Sequence, residues 1–505
     1  MTRTNGPRHA AVALPIAAAL LLASQIANAR GVTHFSPRKF TMLFRRNAWV
    51  TGLGATVLVT AALLSPAATA APAAGCAEPA AGQAPERRDA AEVGMDAAAV
   101  ADAVALGART GSHAVQIYRH GCLVGDHTPT GNVPMPLASG SKGVASVAVG
   151  RAVTMGYFGL DDPLGAFFPQ ADAAHAGITV RQVLNQTTGI HFSWPADLAG
   201  LQTDSVLQTL AAPVDYEPGS TFQYAQNVLA LLPKIIEITT GADFQDFVQR
   251  EVMDPLGIDR GNWVWLRDRS GNTAVNGGLA MRPADLARIG RLLLQEGRWA
   301  DRSLIDPGYI RQATTPTEAN GGYGFLWWLN AGDTYRGVNV PVAQLYSHPV
   351  FIGSPRDTYA FSGALGQFLT VVPSRDLVIV RLGVPTRLEP GNPTGVLTGT
   401  SNPDNKELFR RASAAVLDQP ALPFEDPYAI QDPSQPLVRS PEDLGKLVDP
   451  LTVAAVLLGV GPYASTECNV LWCNGKPLPE DVFRLILDIA GQISGAVAAL
   501  GNSPR

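Results

Sequence analysis

The pattern most suggestive of chemistry is a serine three residues before a lysine, in PLASGSKGVAS at residues 136–146. Ser139 and Lys142 form this pair, and a second serine, Ser141, lies directly before the lysine. A serine hydroxyl is a weak nucleophile until a base within hydrogen-bond reach takes its proton. An amine can be that base only when burial or nearby positive charge lowers its pKa. The pattern therefore suggests nucleophilic catalysis by a serine and a buried lysine.

Helix geometry distinguishes the two serines. Residues three apart lie on one helix face, so Ser139 can meet Lys142, whereas Ser141 projects elsewhere. The residues after the lysine are small or apolar, as burial of the amine requires. The same Ser-x-x-Lys spacing recurs at residues 36–39. The spacing alone therefore leaves a purely structural role open.

Other catalytic patterns are missing from the sequence. It has no G-x-S-x-G elbow, no H-E-x-x-H zinc motif and no phosphate-binding glycine loop. His191 and His348 could be imagined in a Ser-His-Asp triad, but neither has a recognisable context, and a structural hydrogen-bonding role is favoured. We expect neither a metal nor a cofactor.

The elements that must position the serine and the lysine form two groups. Residues 95–108 predict a helix, and residues 113–126 alternate through a His-Gly turn as a hairpin does. After a mostly helical middle, residues 366–383 predict a second hairpin rich in β-branched residues, followed by a helix at residues 405–418. Strands at both ends predict one antiparallel sheet covered by helices.

Seven further segments follow the serine and the lysine in a characteristic order. They lie at residues 156–172, 178–190, 217–241, 254–258, 276–299, 323–330 and 361–380. This order resembles the serine hydrolases of the class C β-lactamase, D,D-peptidase and related esterase family, over residues 95–418. The resemblance implies an α+β fold of the β-lactamase/transpeptidase type, in which helices flank an antiparallel sheet beside a mostly helical subdomain.

The resemblance also implies roles for individual residues. Ser139 would be the acylated nucleophile and Lys142 its helix partner. Tyr224 matches the tyrosine of the family's Tyr-x-Asn motif, which shuttles a proton. A tyrosine normally titrates near pH 10, so a Lys142 ammonium beside it would help it act as a base.

Two departures from the family pattern affect substrate recognition. Gln226 stands where the family has Asn, and Asn227 follows one residue late. In the third motif, Phe361 replaces a Lys or His that commonly holds a substrate carboxylate. Ser362 and Gly363 of that motif remain, and the backbone N–H groups of Ser139 and Ala364 would form the oxyanion hole.

An aromatic run supplies candidates for a substrate pocket. Tyr323, Trp327 and Trp328 could line it, although such a run is more often part of a core. A similar YG-x-x-WW motif occurs in the esterase and nylon-oligomer hydrolase branches of the family that the chain resembles. This resemblance favours ester or amide substrates that lack a free carboxylate.

The overall amino-acid composition limits the classes of protein to which the chain can belong. The 505 residues are 46% hydrophobic and 16% charged, which is enough to build sizeable cores. The net charge is −5 without a basic stripe, so nucleic acid is not an expected partner. The expected partner is a small-molecule ester or amide.

The first 75 residues predict export. A basic patch from Met42, the apolar run at residues 48–64 and small residues after it have the layout of a secretory signal. We expect residues 1–75 to be a leader whose natural start is Met42, and a secreted or periplasmic, cell-envelope location. A second apolar run at residues 10–29 leaves a double membrane anchor as the alternative, so any membrane contact would be through an uncleaved leader.

Four cysteines lie beyond this leader, where pairing is the default in an exported chain. Of three connectivities we predict Cys76–Cys122 and Cys468–Cys473. The last two also resemble half of a zinc site, but no second half accompanies them. Cys76, following Gly75, could alternatively imitate a lipid-attachment cysteine.

The predicted organisation has three parts: the leader at residues 1–75, a serine-hydrolase domain at residues 76–418, and a Pro-rich arm with a helical hairpin at residues 419–505. We expect an exported hydrolase acting through a Ser139 acyl-enzyme. The alternatives are β-lactamase or D,D-carboxypeptidase activity, and a binding protein of the same fold with weakened catalysis.

Overall fold

A computed structural model describes residues 75–191, 203–338, 344–385 and 399–429, with short pieces at 455, 460–464, 472–473 and 476–477. The predicted leader except for its last residue, Gly75, lies outside the described residues, as do Cys468 and most of the predicted helical C-terminal extension. So does the second predicted disulfide, because Cys468 is one of its two partners.

Most of the described strands are short, and the longer ones all belong to one sheet. In chain order they are β1 (Ser112–Arg119), β2 (Cys122–His127), β3 (Met135–Pro136), β4 (Trp263–Trp265), β5 (Leu279–Met281), β6 (Arg298–Trp299), β7 (Arg302–Ser303), β8 (Trp328–Leu329), β9 (Tyr335–Arg336), β10 (Leu345–Tyr346), β11 (Tyr359–Gly363), β12 (Gln367–Val372), β13 (Leu377–Gly383), β14 (Trp472–Cys473) and β15 (Lys476–Pro477).

The described α-helices lie mostly between β2 and β8. They are α1 (Ala97–Arg109), α2 (Ser141–Thr154), α3 (Ala173–Ala176), α4 (Val180–Leu184), α5 (Ser205–Ala211), α6 (Leu231–Thr240), α7 (Phe244–Val248), α8 (Pro283–Leu294), α9 (Pro307–Ala313) and α10 (Pro403–Ala414).

The central sheet joins the two ends of the domain. Its six strands run in the order β2-β1-β13-β12-β11-β8, and each described pair is antiparallel. The N-terminal strand β1 pairs with the C-terminal strand β13, with Ile117 opposite Ile379. The prediction of one antiparallel sheet made from both ends of the domain is therefore confirmed.

Helices cover both faces of this sheet. Gly290 of α8 lies so close to β13 that an added Cβ would be 2.6 Å from Val378 Cγ1. On the opposite face, Gly107 of α1 approaches Val115 of β1 in the same way, at 2.5 Å. The fold is thus the expected α+β arrangement, with its core on both sides of the sheet.

The predicted outer helices form close to their expected limits. Helix α1 begins after Asp96, whose carboxylate accepts hydrogen bonds from the N–H groups of Ala98 and Ala99. The last helix begins two residues earlier than predicted, because Asn402 caps it and Pro403 takes the first helical position, where proline fits.

Helix α2 is the buried centre of the molecule and carries Lys142. Nearly all its residues are inaccessible to solvent, and it packs between the sheet and the helices of the middle region. Its small residues permit this: Gly150 faces the ring of Tyr309, and an added Cβ there would lie 2.6 Å from a ring atom. The surroundings needed to bury a lysine are therefore built into the helix.

An N-terminal arm is fastened to the sheet. The predicted disulfide between Cys76 and Cys122 is present. Arg288 of α8 donates to the carbonyl oxygens of Pro79 and Ala80, at 2.8 and 3.0 Å. At the other end, residues 419–429 pack on the domain, where the Gly353 N–H donates to the carboxylate of Glu425.

Within the described ranges, no helix is both long enough and apolar enough to cross a membrane.

We expect removal of the disulfide to destabilise the domain. The bond closes a loop with a sequence separation of 46, which corresponds to about 2–4 kcal/mol through restriction of the unfolded chain. A Cys76→Ser/Cys122→Ser variant should therefore melt at a lower temperature than the wild type. Reductant should lower the melting temperature of the wild type by more than that of the variant. Equal melting temperatures of the two proteins without reductant would contradict the prediction.

Candidate active site

The predicted nucleophile lies in a tight turn, not in the helix itself. Ser139 belongs to the 3₁₀ turn Ala138–Gly140, directly before α2, and is partly exposed. Ala138 has φ 46°, a left-handed conformation that costs energy in a residue other than glycine. The neighbouring strand β5 holds this turn, since the Leu137 N–H donates to Leu279 O at 2.8 Å.

Ser141 has a structural task in the same turn. Its hydroxyl donates to Ala138 O at 2.7 Å and accepts from the N–H of Leu279 at 3.0 Å. This side chain therefore links the turn to β5. Because its hydrogen bonds tie it to backbone groups, it points away from the lysine, as helix geometry predicted.

Lys142 is buried and reaches Ser139. Its Nζ lies 2.9 Å from Ser139 Oγ, 2.8 Å from Gln226 Oε1 and 2.5 Å from the carbonyl oxygen of Asn276. All three partners are uncharged, and burial lowers the pKa of Lys142 well below its ordinary range. The amine is thus placed to take the hydroxyl proton of Ser139.

Tyr224 approaches the same hydroxyl from another side. Its phenol interacts with the hydroxyl of Ser139 and with the side chain of Trp328, and its ring lies 4.9 Å from Lys142 Nζ. Burial raises the pKa of Tyr224 to about 12, while the two interactions lower it in part. The resting side chain is therefore a neutral phenol at physiological pH, and no charge from Lys142 lowers its pKa as the sequence had suggested.

The two amide side chains that follow Tyr224 have different hydrogen-bond partners. Gln226 is buried, gives its oxygen to Lys142, and donates from Nε2 to Tyr224 O at 3.1 Å. Asn227 instead donates to His191 O at 2.9 Å. Gln226 therefore occupies the position that contacts the lysine, and Asn227 braces the adjoining loop.

Phe361, in place of the family's cation, packs against α2, the helix that carries Lys142. Its ring is buried directly over Gly143 of α2, where an added Cβ would lie 2.1 Å from a ring carbon. Trp327 lies 5.7 Å from the same ring between centroids and donates from its indole to Gly143 O at 3.3 Å. Both aromatic residues thus belong to the core behind the lysine.

The strand that carries Phe361 ends beside the nucleophile turn. Gly363 is so close to it that a Cβ would lie 2.0 Å from Leu137 O and 3.0 Å from the N of Gly140. Ser362, the residue before it, is buried. Ala364 begins the turn that follows β11. The two predicted oxyanion donors, the N–H groups of Ser139 and Ala364, therefore come from adjoining turns.

An aromatic cluster surrounds Tyr224. The Tyr323 ring lies 6.0 Å from the Tyr224 ring and 4.9 Å from that of Trp328. Tyr323 is fully buried, and its hydroxyl has no hydrogen-bond partner among the described residues. The cluster shields the phenol of Tyr224 from water, which accounts for its raised pKa.

Two contributors were not singled out from the sequence, namely the carbonyl of Asn276 and the bare Gly143 under Phe361. Trp328 was a candidate for lining a pocket, and its side chain interacts with Tyr224 instead. The segments holding Asn276 and Trp328 carry the family resemblance, but spacing gives no sign of a backbone carbonyl as partner. The excluded histidines are bound elsewhere: His191 Nδ1 lies 2.7 Å from Asp215 Oδ2, and His348 Nδ1 lies 2.7 Å from Pro349 O.

Comparison with known proteins gives the family of the chain. Residues 88–383 match the family described as Beta-lactamase. Esterase EstB of Burkholderia gladioli is 30% identical over 143 residues, which cover 24% of this chain and 36% of the esterase. The 6-aminohexanoate-dimer hydrolase of Paenarthrobacter ureafaciens is 24% identical over 277 residues, which cover 49% of this chain and 65% of the hydrolase. The chain thus matches less than two thirds of either relative.

A solved structure is similar over more of its length. A penicillin-binding protein homolog from Caulobacter crescentus aligns with 63% of this chain and 97% of its own, at 18% identity and a TM-score of 0.48.

We expect Gly143→Ala to destabilise the protein. Alanine normally stabilises a helix interior relative to glycine by about 0.5–1 kcal/mol, but overpacking against Phe361 should cost about 1–3 kcal/mol. Denaturant unfolding should show a net loss of stability, and the same change in a Phe361→Ala background should be neutral or stabilising.

The control is Gly177→Ala, because nothing lies within 4 Å of a Cβ there. Equal effects of Gly143→Ala with and without the Phe361 ring would show that this contact does not require the glycine.

Proposed function

Because the chain belongs to the beta-lactamase family, we propose that it is a serine hydrolase that cleaves an ester or amide through an acyl-enzyme at Ser139. The observation that carries the proposal is the contact of one partly exposed hydroxyl, Ser139, with both a buried amine and a buried phenol. Ser139, Lys142 and Tyr224 are then the catalytic residues.

Acylation follows from these contacts. Unprotonated Lys142 takes the Ser139 proton as Oγ attacks the carbonyl carbon, and the oxygen that becomes negative accepts hydrogen bonds from the N–H groups of Ser139 and Ala364. Tyr224, a neutral phenol, passes its proton to the leaving oxygen or nitrogen, and the proton held by Lys142 restores the phenol. The C–O or C–N bond breaks and leaves an ester on Ser139.

Deacylation uses the same groups in reverse. A water molecule loses a proton to the Lys142–Tyr224 pair and attacks the acyl carbon, and Ser139 Oγ leaves with a proton returned from the pair. The products are a carboxylic acid and free enzyme. The first proton transfer, from Ser139 to Lys142, is between atoms that lie 2.9 Å apart.

The substrate class follows from two side chains, Phe361 and Gln226, that offer no group to a substrate carboxylate. Phe361 is buried in the core and offers no charge to a substrate carboxylate. The amide oxygen of Gln226 is engaged by Lys142. Esters or amides without a free carboxylate beside the scissile bond therefore fit better than β-lactams or peptide C-termini. The relative named esterase supports this class.

We also propose export, with residues 76–418 as the catalytic domain. The Cys76–Cys122 disulfide supports it, because such bonds persist in oxidising compartments. The leader and the residues beyond 429 are assigned from the sequence alone.

The decisive experiment is labelling of the purified protein with a fluorophosphonate, followed by hydrolysis of p-nitrophenyl esters. We expect labelling and turnover in the wild type and in Ser141→Ala, and neither in Ser139→Ala. A wild type that is not labelled would leave the binding-protein alternative, and rapid turnover of a chromogenic cephalosporin would favour β-lactamase activity instead.

The pH profile should report the buried lysine. Lys142 acts as a base only when unprotonated, so kcat/KM rises with pH through its pKa, which burial places well below the ordinary 10.5. Tyr224 must keep its proton until catalysis, and its pKa of about 12 places the descending limb at very alkaline pH. Ester hydrolysis measured against pH should therefore rise well below 10.5 and then stay level. A rising limb in the ordinary lysine range, or a descending limb in the ordinary tyrosine range, would contradict this assignment.

A further inference from the structure

A buried arginine lies behind the turn that follows β11. Arg381 is on β13, and only 1% of it is exposed. Its guanidinium donates to the carbonyl oxygens of Leu365, Gly366 and Gly383 at 3.0, 2.6 and 3.1 Å. It also donates to Thr110 O at 3.3 Å. Two of the four acceptors thus belong to one short turn, Ala364–Gly366, which we call the oxyanion turn.

Burial of a charged side chain at this position carries a large desolvation free energy. Burial lowers the pKa of Arg381 to about 10, so the group remains protonated at neutral pH in an interior where its described partners are neutral carbonyls. The C-terminal end of α1, capped by Thr110, favours a cation. Asp404 adds attraction from a greater distance. An apolar residue would fill a strand position of this kind at lower cost.

The oxyanion turn needs such support. Leu365 has φ 65° and Gly366 has φ 88°, so two successive residues adopt the left-handed conformation. The carbonyl of Ala364 is held as well, by Gln367 Nε2 at 3.3 Å. All three carbonyls of the turn therefore accept hydrogen bonds from side chains of the adjoining strands β12 and β13.

We propose that Arg381 is a positioning residue that fixes the oxyanion turn and thereby aims the Ala364 N–H at the substrate oxygen. The inference rests on the proposed function, because it assigns a purpose to Ala364. Without the guanidinium, the buried carbonyl of Gly366 and the partly buried carbonyl of Leu365 would lose their donor, and the turn would move toward water to satisfy them. A displaced N–H contributes less where charge develops, even when the fold is retained.

The test compares Arg381→Lys with Arg119→Lys. Arg119 is a matched control on β1 of the same sheet, equally buried at 1% exposure, with Gly94 O and Asp418 as its partners. For both variants one measures the melting temperature, kcat and KM for a p-nitrophenyl ester, and the affinity for a trifluoromethyl ketone, whose adduct with Ser139 carries an oxyanion.

For Arg381→Lys we expect kcat to fall about 10- to 100-fold, because a displaced Ala364 N–H would act as a partly lost oxyanion donor. KM should change by less than about twofold, since the interaction is made in the transition state. The affinity for the ketone should fall by the same factor as kcat/KM. In Arg119→Lys all three quantities should stay at the wild-type level, whatever happens to the melting temperature.

A second variant covers the case in which Arg381→Lys does not fold. Gly366→Ala would place a Cβ 2.3 Å from Arg381 Nη1 and should disturb the same contact from the side of the turn, with the same loss of kcat and ketone affinity. Unchanged kcat/KM and ketone affinity in the folded variants would overturn the proposal. Failure of the wild type to react with fluorophosphonate would instead overturn the proposed function.

Discussion

The site depends on one constraint, the burial of the Lys142 amine against the hydroxyl of Ser139. An ammonium group in a dry interior is costly unless charges or hydrogen bonds compensate for the lost water. Here the partners are three neutral oxygens, from Ser139, Gln226 and Asn276, and burial favours the unprotonated amine. The burial itself is produced by α2, whose small residues let the helix pass between the sheet and the helical layer. The same exclusion of water makes Tyr224 a neutral phenol, so one physical cause sets the protonation of both proposed proton carriers.

Two strained turns meet at this hydroxyl and must be held by their neighbours. Ala138 on one side and Leu365 on the other have positive φ, and each is next to a predicted oxyanion donor. Ser141 holds the first turn through β5, and Arg381 with Gln367 holds the second through β12 and β13. Strain of this kind persists only where the surroundings determine the conformation. The first turn directly precedes α2 of the helical layer, and the second follows β11 of the sheet. The two layers therefore meet at the two turns.

Much of this could be predicted from the sequence because the signals were local or ordered along the chain. The helix after Asp96, the two hairpins and their union in one sheet followed from capping and alternation, and the spacing of Ser139 and Lys142 indicated their contact. Trp327 and Phe361 were harder to place, since sequence alone does not distinguish an aromatic pocket from an aromatic core. The partners Asn276 O and Gly143 were out of reach for a different reason. One acts through its backbone and the other through the absence of a side chain, so neither residue type signals its task.

The replacement of the family's third-motif cation by Phe361 also affects the lysine. A positive charge near an amine lowers its pKa, and so does burial. Here the phenyl ring packs on Gly143, the residue after Lys142, and keeps water away from the amine. Burial, and not a neighbouring positive charge, is therefore the cause that lowers the pKa of Lys142. Under the proposed function, the change from cation to ring alters substrate recognition and leaves Lys142 in place to activate Ser139. Gln226 fits the same account, because its longer side chain still delivers an amide oxygen to Lys142. Under the proposed function, the two departures from the family pattern leave the proton-transfer groups assembled and change mainly which acyl groups can reach them.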